Sequence, residues 1–549
     1  MKRNGVVNTY YAAKERMELN AASDYTYMAP DDGELAKQRE ITSEEGEWPY
    51  IALVMPAYNT PAQYLAEAIE SVIQQSYSNW ILVISDASDD DRVRKTVKRY
   101  DQDGRIRYLK LDENKGISEN TNAGIDYILE SGEDNVDYIG FMDHDDVLTL
   151  DALYHMAVAI KEHCGSGSSN ENQNNDSESL SVQDQEGIQQ QDNPQDIDID
   201  STGHNYIYNN TDYQSKFHGP ALLYSDEDKM TEIGAGSIHK GETDRNLVSG
   251  SGSETDSEIK TSAGQFVYFD PHRKYDFNYD LLLTNNYICR LMLVRADIMR
   301  NIRFRSAYDG AQDYDLVLQV VRHIITGVNT PIQNQEEYDY KQNPEEQDAD
   351  KPGTVTSDAV YQNNTDPRLG SYRVISELED HIIHVPHILY HWRSHPGSTA
   401  TNVASKTYAY DAGLSALTDH IRTIYGETVT VSHSKHLGFY NTNWGDIDNI
   451  FRLRPEIGAV AGRVIDRHGR MSECIADKDG KWLYAGINKH YAGAFNRFDC
   501  AQNVYMADPD HLHIRPELIQ LKEICADMRV LSDSLHSQHY LILYLPREL

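Results

Sequence analysis

Between Tyr50 and Asp146 the chain alternates short apolar runs with helix-periodic stretches, and this pattern constrains the fold more than any other feature. Ile51–Met55, Ile81–Ile84, Ile106–Leu111 and Tyr138–Phe141 read as strands. Between them, Leu65, Ala68, Ile69, Val72 and Ile73 mark one face of a helix, and Val93–Tyr100 and Ser118–Leu129 can form two more. Thr60 with Gln63 suggests a capping box for the first helix, with Pro61 at its first position. Strand–helix alternation of this kind predicts an α/β fold with a mainly parallel sheet. The fourth strand stops abruptly at Asp143-His144-Asp145-Asp146. Carboxylates at the carboxyl end of such a strand sit where open α/β sheets bind ligands. Asp143 and Asp145 are two residues apart, so an extended backbone would aim both to one side. Paired oxygen donors suit Mg²⁺ or Mn²⁺, which usually take one or two carboxylates plus substrate phosphates. No G-x-G-x-x-G or G-K-[ST] follows the first strand, so the usual dinucleotide and P-loop readings fail.

The rest of the 549 residues divides by composition. Residues 1–48 read as an arm with a short helix from Tyr10 to about Leu19, followed by a polar acidic stretch. Polar runs at about 165–218, 232–262 and 326–370 hold too few large aliphatics to offset chain entropy and are expected to be disordered insertions. Ordered blocks between them carry Tyr224-Ser225-Asp226-Glu227-Asp228-Lys229, Asn285-Asn286-Tyr287-Ile288, Gly310-Ala311-Gln312-Asp313-Tyr314-Asp315-Leu316 and Tyr390-His391-Trp392-Arg393. The main domain is expected over 49–430, and a smaller C-terminal domain over 431–549. A net charge of −37 argues against nucleic acid as a partner. The five cysteines have no C-x-x-C spacing and read as reduced thiols. No apolar stretch is long enough to span a bilayer and no signal-peptide core follows Met1, so a cytoplasmic protein is expected, with at most peripheral membrane contact.

Met55-Pro56-Ala57-Tyr58-Asn59-Thr60, Ser85-Asp86-Ala87-Ser88, Asn114-Lys115-Gly116-Ile117 and Asp143-His144-Asp145-Asp146 together resemble the family 2 glycosyltransferases, and the later blocks resemble a bacterial subgroup that builds surface polysaccharides, often as rhamnosyltransferases. The resemblance covers about 50–165, 220–230, 265–325 and 380–425, with Ser85 where many relatives carry a second Asp. It implies a GT-A nucleotide-sugar-binding domain and an inverting transfer of a hexosyl or rhamnosyl group. The donor would be a nucleotide-diphosphate sugar, and the acceptor a glycan or lipid-linked glycan at the inner face of the cell membrane. It also implies that 431–549 resembles part of a second, non-catalytic domain.

By the same resemblance Asp313 is the catalytic base, with Asp315 its local rival. Pro56, Tyr58, Asn59, Asp86, Asp143, Trp392 and Arg393 bind the donor. Asp143, Asp145 and His395 (or His391) hold Mg²⁺ or Mn²⁺. Asp226, Asp228 and Asn286 face the acceptor. Asp145 and Asp313 lie 168 residues apart, but only 83 remain once the two polar insertions between them are set aside, which is compatible with one compact domain. Two other functions fit the composition: a sugar nucleotidyltransferase, which should carry a Gly-rich basic loop after the first strand, and a degenerate glycan-binding or scaffolding protein. If the first insertion is a decoration, replacing residues 166–217 by a short Gly/Ser linker leaves soluble expression and nucleotide-diphosphate binding unchanged, because loop closure costs little extra with length; insoluble protein would count against that domain organisation.

Overall fold

The computed structural model describes residues 25–44, 46–130, 135–164, 219–232, 266–327, 374–395, 407–524 and 527–549. The expected helix at Tyr10–Leu19 lies outside them, as do nearly all of the three polar insertions; only Glu232 and Thr326–Gly327 at their edges are described, as the ends of a strand and of a helix.

One nine-stranded sheet forms the core. Its first half is β1 (Ile51–Ala57), β2 (Trp80–Asp86), β3 (Ile106–Lys110) and β4 (Tyr138–Phe141), joined by parallel ladders in the order β3-β2-β1-β4. Its second half is β5 (Val147–Leu148), β6 (Leu222–Glu232), β7 (Phe266–His272), β8 (Met292–Arg295) and β9 (Ile382–Arg393). β8 runs antiparallel between β4 and β6, β6 pairs with β9 in parallel, and the short β5 is held antiparallel to β9. Parallel ladders carry most of the paired positions, as the strand–helix alternation predicts.

β1 and β2 are buried along their whole length. Their side chains alternate between two apolar layers. Ala52, Val54, Ile81 and Val83 enter one, while Ile51, Leu53, Leu82 and Ile84 enter the other. A central parallel strand covered on both faces needs this continuous apolar run.

Two helices differ from the sequence expectation. The first crossover helix spans Ala62–Ile73 with Pro61 at its cap and no side-chain cap bond, and the Thr60 hydroxyl is buried without a partner, so the capping box does not form. Pro61 keeps an extended ψ of 133° and starts the helix one residue later than expected. The acidic stretch before Trp48 holds a helix, Asp32–Ser43, capped by Asp31 through the N–H of Glu34. It was hidden because it buries only Leu35 and Gln38.

Packing continues past residue 430. β10 (Thr430–His433) and β11 (Tyr440–Asn443) form a hairpin, and Tyr440 N–H donates to Thr284 O at 2.7 Å. A four-stranded sheet follows, in which β12 (Ile457–Ala461) pairs in parallel with β17 (Leu541–Tyr544), flanked by β14 (Gln502–Val504) and β16 (Leu512–Ile514); β13 (Ile475–Ala476) and β15 (Met506–Ala507) make a separate pair. Ile450, Ile457 and Val460 share one apolar cluster with Tyr279, Leu282 and Val317 of the first part, so no break in packing marks the expected border at 431.

The joint is polar at its centre. Arg454 is fully buried and donates to both carboxylate oxygens of Asp280 at 2.8 and 3.0 Å and to Glu456 at 2.5 Å. The rings of Tyr279, Tyr425 and Trp444 surround the guanidinium at 5.0–5.7 Å. Breaking a buried pair strands the remaining charge, at about 3–5 kcal/mol. Asp280→Ala should therefore lower the unfolding free energy by about that much in urea, and tryptophan fluorescence and far-UV circular dichroism should give one coincident transition before and after the change.

Candidate functional site

The acidic loop is shaped by β9, a strand far away in sequence. Asp146 is buried; its carboxylate accepts from Tyr390 O–H at 2.6 Å and from the Arg393 N–H at 2.8 Å. The Tyr390 hydroxyl oxygen also accepts the Asp143 N–H at 3.1 Å, and Arg393 Nε donates to Asp145 O at 2.5 Å. Burial, with Asp143 and Asp145 adding like charge, holds the Asp146 carboxyl well above the usual range. The extended backbone expected across Asp143–Asp145 is not there, because the chain turns at His144–Asp145. Asp143 meets Arg290 at 2.5 Å, and Asp145 meets His395 Nε2 at 3.2 Å.

Asp143, Arg290 and Asp313 line one cleft, together with Pro56, Cys289 and Gln312. Asp313 opens the helix Gln312–Thr326, and its Oδ1 accepts the Tyr314 N–H at 2.9 Å. Burial raises its carboxyl above the ordinary value, and Arg290 opposes that. Asp315 is placed differently. It is fully buried, with both oxygens on Arg305 and one also on Gln319, and it does not line the cleft. The preceding Gly310 has φ +98° and packs against Tyr408 so closely that a Cβ would lie 2.7 Å from its ring, so only glycine serves there.

The loop after β1 stands where the sequence places it. Asn59, at φ +51°, takes Ser88 Oγ through its N–H at 2.8 Å and donates its side-chain amide to Asp89 at 2.9 Å, and Tyr58 O–H donates to Asp89 at 3.0 Å. Asp86 ends β2 as expected, but its carboxylate has no exposed surface. Oδ1 accepts the Ser88 N–H at 2.8 Å and Oδ2 the Tyr108 O–H at 2.6 Å, with Lys110 at 3.8 Å. A nucleoside reaches Asp86 only if Tyr108 or Lys110 gives way.

Other expectations need correction. Arg393 is 2 % exposed and faces Glu67 at 2.6 Å between Tyr64 and Phe266, so it braces the acidic loop and does not present a guanidinium to a donor. Trp392 packs its ring against the core with Lys229 at 5.8 Å. Asp226 and Asp228 are buried and occupied. Asp226 accepts from the Lys274 N–H and meets His384 at 2.8 Å, and Asp228 accepts from Tyr25 and meets His391 at 2.5 Å. Neither carboxylate faces an acceptor, and His391 is committed to Asp228 instead of a metal. Asn286 is half-buried and takes the Cys289 N–H at 3.4 Å.

The sequence reading missed Arg290, and it placed Glu227 with Asp226 and Asp228 on the acceptor side or at a solvated strand end. Glu227 Oε2 accepts the Arg290 N–H at 3.3 Å and faces buried Lys274 at 3.5 Å, while Oε1 faces His272 at 3.5 Å. Arg290 carries no motif signal, because its partners are 63 and 147 residues away.

Among the described residues no group of three or more His, Cys, Asp or Glu could hold a metal ion alone. An ion shared with a diphosphate needs only one or two protein carboxylates, and the convergence of Asp145 and His395 fits that case. Asp143 has one oxygen engaged by Arg290. Cys164, Cys289, Cys474 and Cys500 are free, and none of the described helices is long and apolar enough to cross a membrane.

Parts of the chain are similar to known proteins. Residues 52–209 match the family described as glycosyl transferase family 2. An uncharacterized protein, y4gI, of Sinorhizobium fredii is 25% identical over 387 residues, which is 70% of this chain and 26% of that protein. The putative teichuronic acid biosynthesis glycosyltransferase TuaG of Bacillus subtilis is 30% identical over 106 residues, 19% of this chain and 39% of that protein. The chain thus spans between about a quarter and two fifths of the length of these relatives. Among solved structures, S. aureus TarS 1-349 in complex with UDP-GlcNAc superposes with a TM-score of 0.31 at 10% identity, over 68% of this chain and 66% of that one.

Burial alone would raise the Glu227 carboxyl, but Lys274, His272 and Arg290 overcome it and hold it at about 2, against 4.5 for an exposed glutamate. A lowered folded-state pKa adds stability that is complete above the unfolded value and lost as pH falls through the folded one, about 3 kcal/mol here. The stability difference between wild type and Glu227→Gln should therefore shrink by about that amount between pH 5 and pH 2; a pH-independent difference in urea unfolding would contradict the ion pairing.

Proposed function

We propose that this chain, whose residues 52–209 carry a glycosyl transferase family 2 domain, is an inverting glycosyltransferase. It moves a hexosyl or rhamnosyl group from a nucleotide-diphosphate sugar to a hydroxyl of a glycan or lipid-linked glycan, in cell-surface polysaccharide synthesis at the cytoplasmic face of the membrane. The observation that supports this most is the shared cleft of Asp143, Arg290 and Asp313 at the carboxyl ends of β1 and β4. The teichuronic acid role in TuaG's name supports the polysaccharide setting.

The chemistry follows from what each residue can do. Tyr314 N–H fixes one oxygen of Asp313, leaving the other to receive a proton. The acceptor oxygen attacks the anomeric carbon and its proton passes to Asp313. The bond from that carbon to the diphosphate breaks, and its electron pair leaves with the diphosphate. Pro56, Tyr58 and Asn59 would border the nucleotide, with Asp86 behind Tyr108 for the nucleoside. Asp145 and His395 would hold Mg²⁺ or Mn²⁺, which neutralises charge on the departing diphosphate. Arg290 holds Asp143 in place beside the reacting centre through its 2.5 Å contact.

Asp313→Asn should keep melting temperature and donor affinity while transfer falls roughly 10²–10⁴-fold. A base must be deprotonated to act, so the raised carboxyl moves the acidic limb of kcat/KM above the ordinary aspartate value, and the variant lacks that limb. Near wild-type transfer by Asp313→Asn, or a product that keeps the donor's anomeric configuration, would refute the assignment.

A further inference from the structure

Among the described residues three arginines are almost fully buried, Arg393, Arg454 and Arg497, and the first two have carboxylate counterions. Arg454 has Asp280 and Glu456 for its N–H groups in addition to its aromatic cage. Arg497 is 3% exposed and lies over the rings of Tyr275 and Tyr287, at 4.4 and 5.0 Å. Among the described residues, its Nε, Nη1 and Nη2 have no hydrogen-bond partner. Ring faces attract the charge but accept none of the guanidinium's five N–H donors well. A desolvated fork of donors with no acceptor is matched by one class of ligand, a carboxylate or phosphate that binds it bidentately.

The surroundings suit a sugar bearing such a group. Tyr275, whose ring the guanidinium lies over, is 51% exposed, and Phe495, two residues before Arg497 in the chain, is 46% exposed. Tyr275 is anchored through its carbonyl, which accepts Tyr224 O–H at 2.6 Å, so its ring can swing off the guanidinium without moving the chain. Phe495 lies 4.3 Å from the His272 ring, His272 faces Glu227, and Glu227 accepts the N–H of Arg290, which lines the cleft. The turn that carries Arg497 therefore adjoins the cleft through three successive contacts.

We propose that Arg497, with Tyr275 and Phe495, forms a subsite for an acidic sugar of the glycan acceptor: the guanidinium takes the oxyanion and the two rings take sugar faces. This rests on the transferase reading for the word acceptor, and on the geometry alone for the anion. The C-terminal part of the chain then contributes acceptor recognition.

The test uses the full chain and ligand-observed NMR with methyl β-D-glucuronide, glucose 6-phosphate and methyl β-D-glucoside, with UDP binding measured on the same samples. At least one anionic sugar should bind tenfold or more tighter than the glucoside, and which one does so tells carboxylate from phosphate. Arg497→Gln should abolish that preference and leave UDP affinity unchanged. Arg497→Lys, which keeps the charge without the fork, should bind weakly if Arg497→Gln does not fold. Tyr275→Ala and Phe495→Ala, at exposed positions, should weaken all three sugars. Equal binding of the neutral and anionic sugars, or wild-type anion binding by Arg497→Gln, overturns the proposal. Wild type that binds the glucuronide or phosphate sugar but not UDP keeps this subsite and sinks the transferase reading.

Discussion

The site depends on one buried carboxylate. Asp146 is buried, and both donors to its carboxylate come from β9: the Tyr390 hydroxyl and the Arg393 backbone N–H. An unpaired carboxylate in that position would be severely destabilising, so the acidic loop has its shape only while β9 is in place. The same two residues reach the neighbouring backbone at Asp143 and Asp145. Asp146 thus sets the turn, the turn aims Asp143 at Arg290, and Arg290 ties the acidic loop to the cleft and, through its backbone, to Glu227.

This explains which parts of the protein could be read in advance. The parallel half of the sheet was legible because its information is local: a strand's apolar run and the helix face that covers it lie within twenty or so residues. Asp143, Pro56 and Asp313 were legible for a related reason, since each sits at the end of an element whose direction the pattern fixes. Asp315 was a fair rival on spacing, and only the position of Arg305 separates the two.

The errors share the opposite cause. Trp392 and Arg393 have the right chemistry for a sugar diphosphate, yet the Arg393 guanidinium is enclosed by Glu67, Tyr64 and Phe266, which no spacing rule connects to it. Asp226 and Asp228 were expected to face the acceptor, but each is taken by a histidine on the parallel neighbour β9. The N-terminal arm, expected either to pack on the domain or to fray, packs through partners just as remote: Tyr25 donates to Asp228, and Tyr27 sits against His391 and Tyr268. In each case the deciding partner is more than a hundred residues away, and its register is set by the sheet.

The distance between Asp146 and Arg393 also has a meaning during synthesis. The two are 247 residues apart, so at about 5–20 residues per second the ribosome delivers β9 roughly 12–50 s after the acidic loop. Throughout that interval the first half of the sheet can pair its four parallel strands, but Asp146 has neither of its β9 donors and must stay hydrated. The loop that would meet a nucleotide sugar is thus the last part of that half to mature, and a chain stalled before β9 carries the sheet without a competent site.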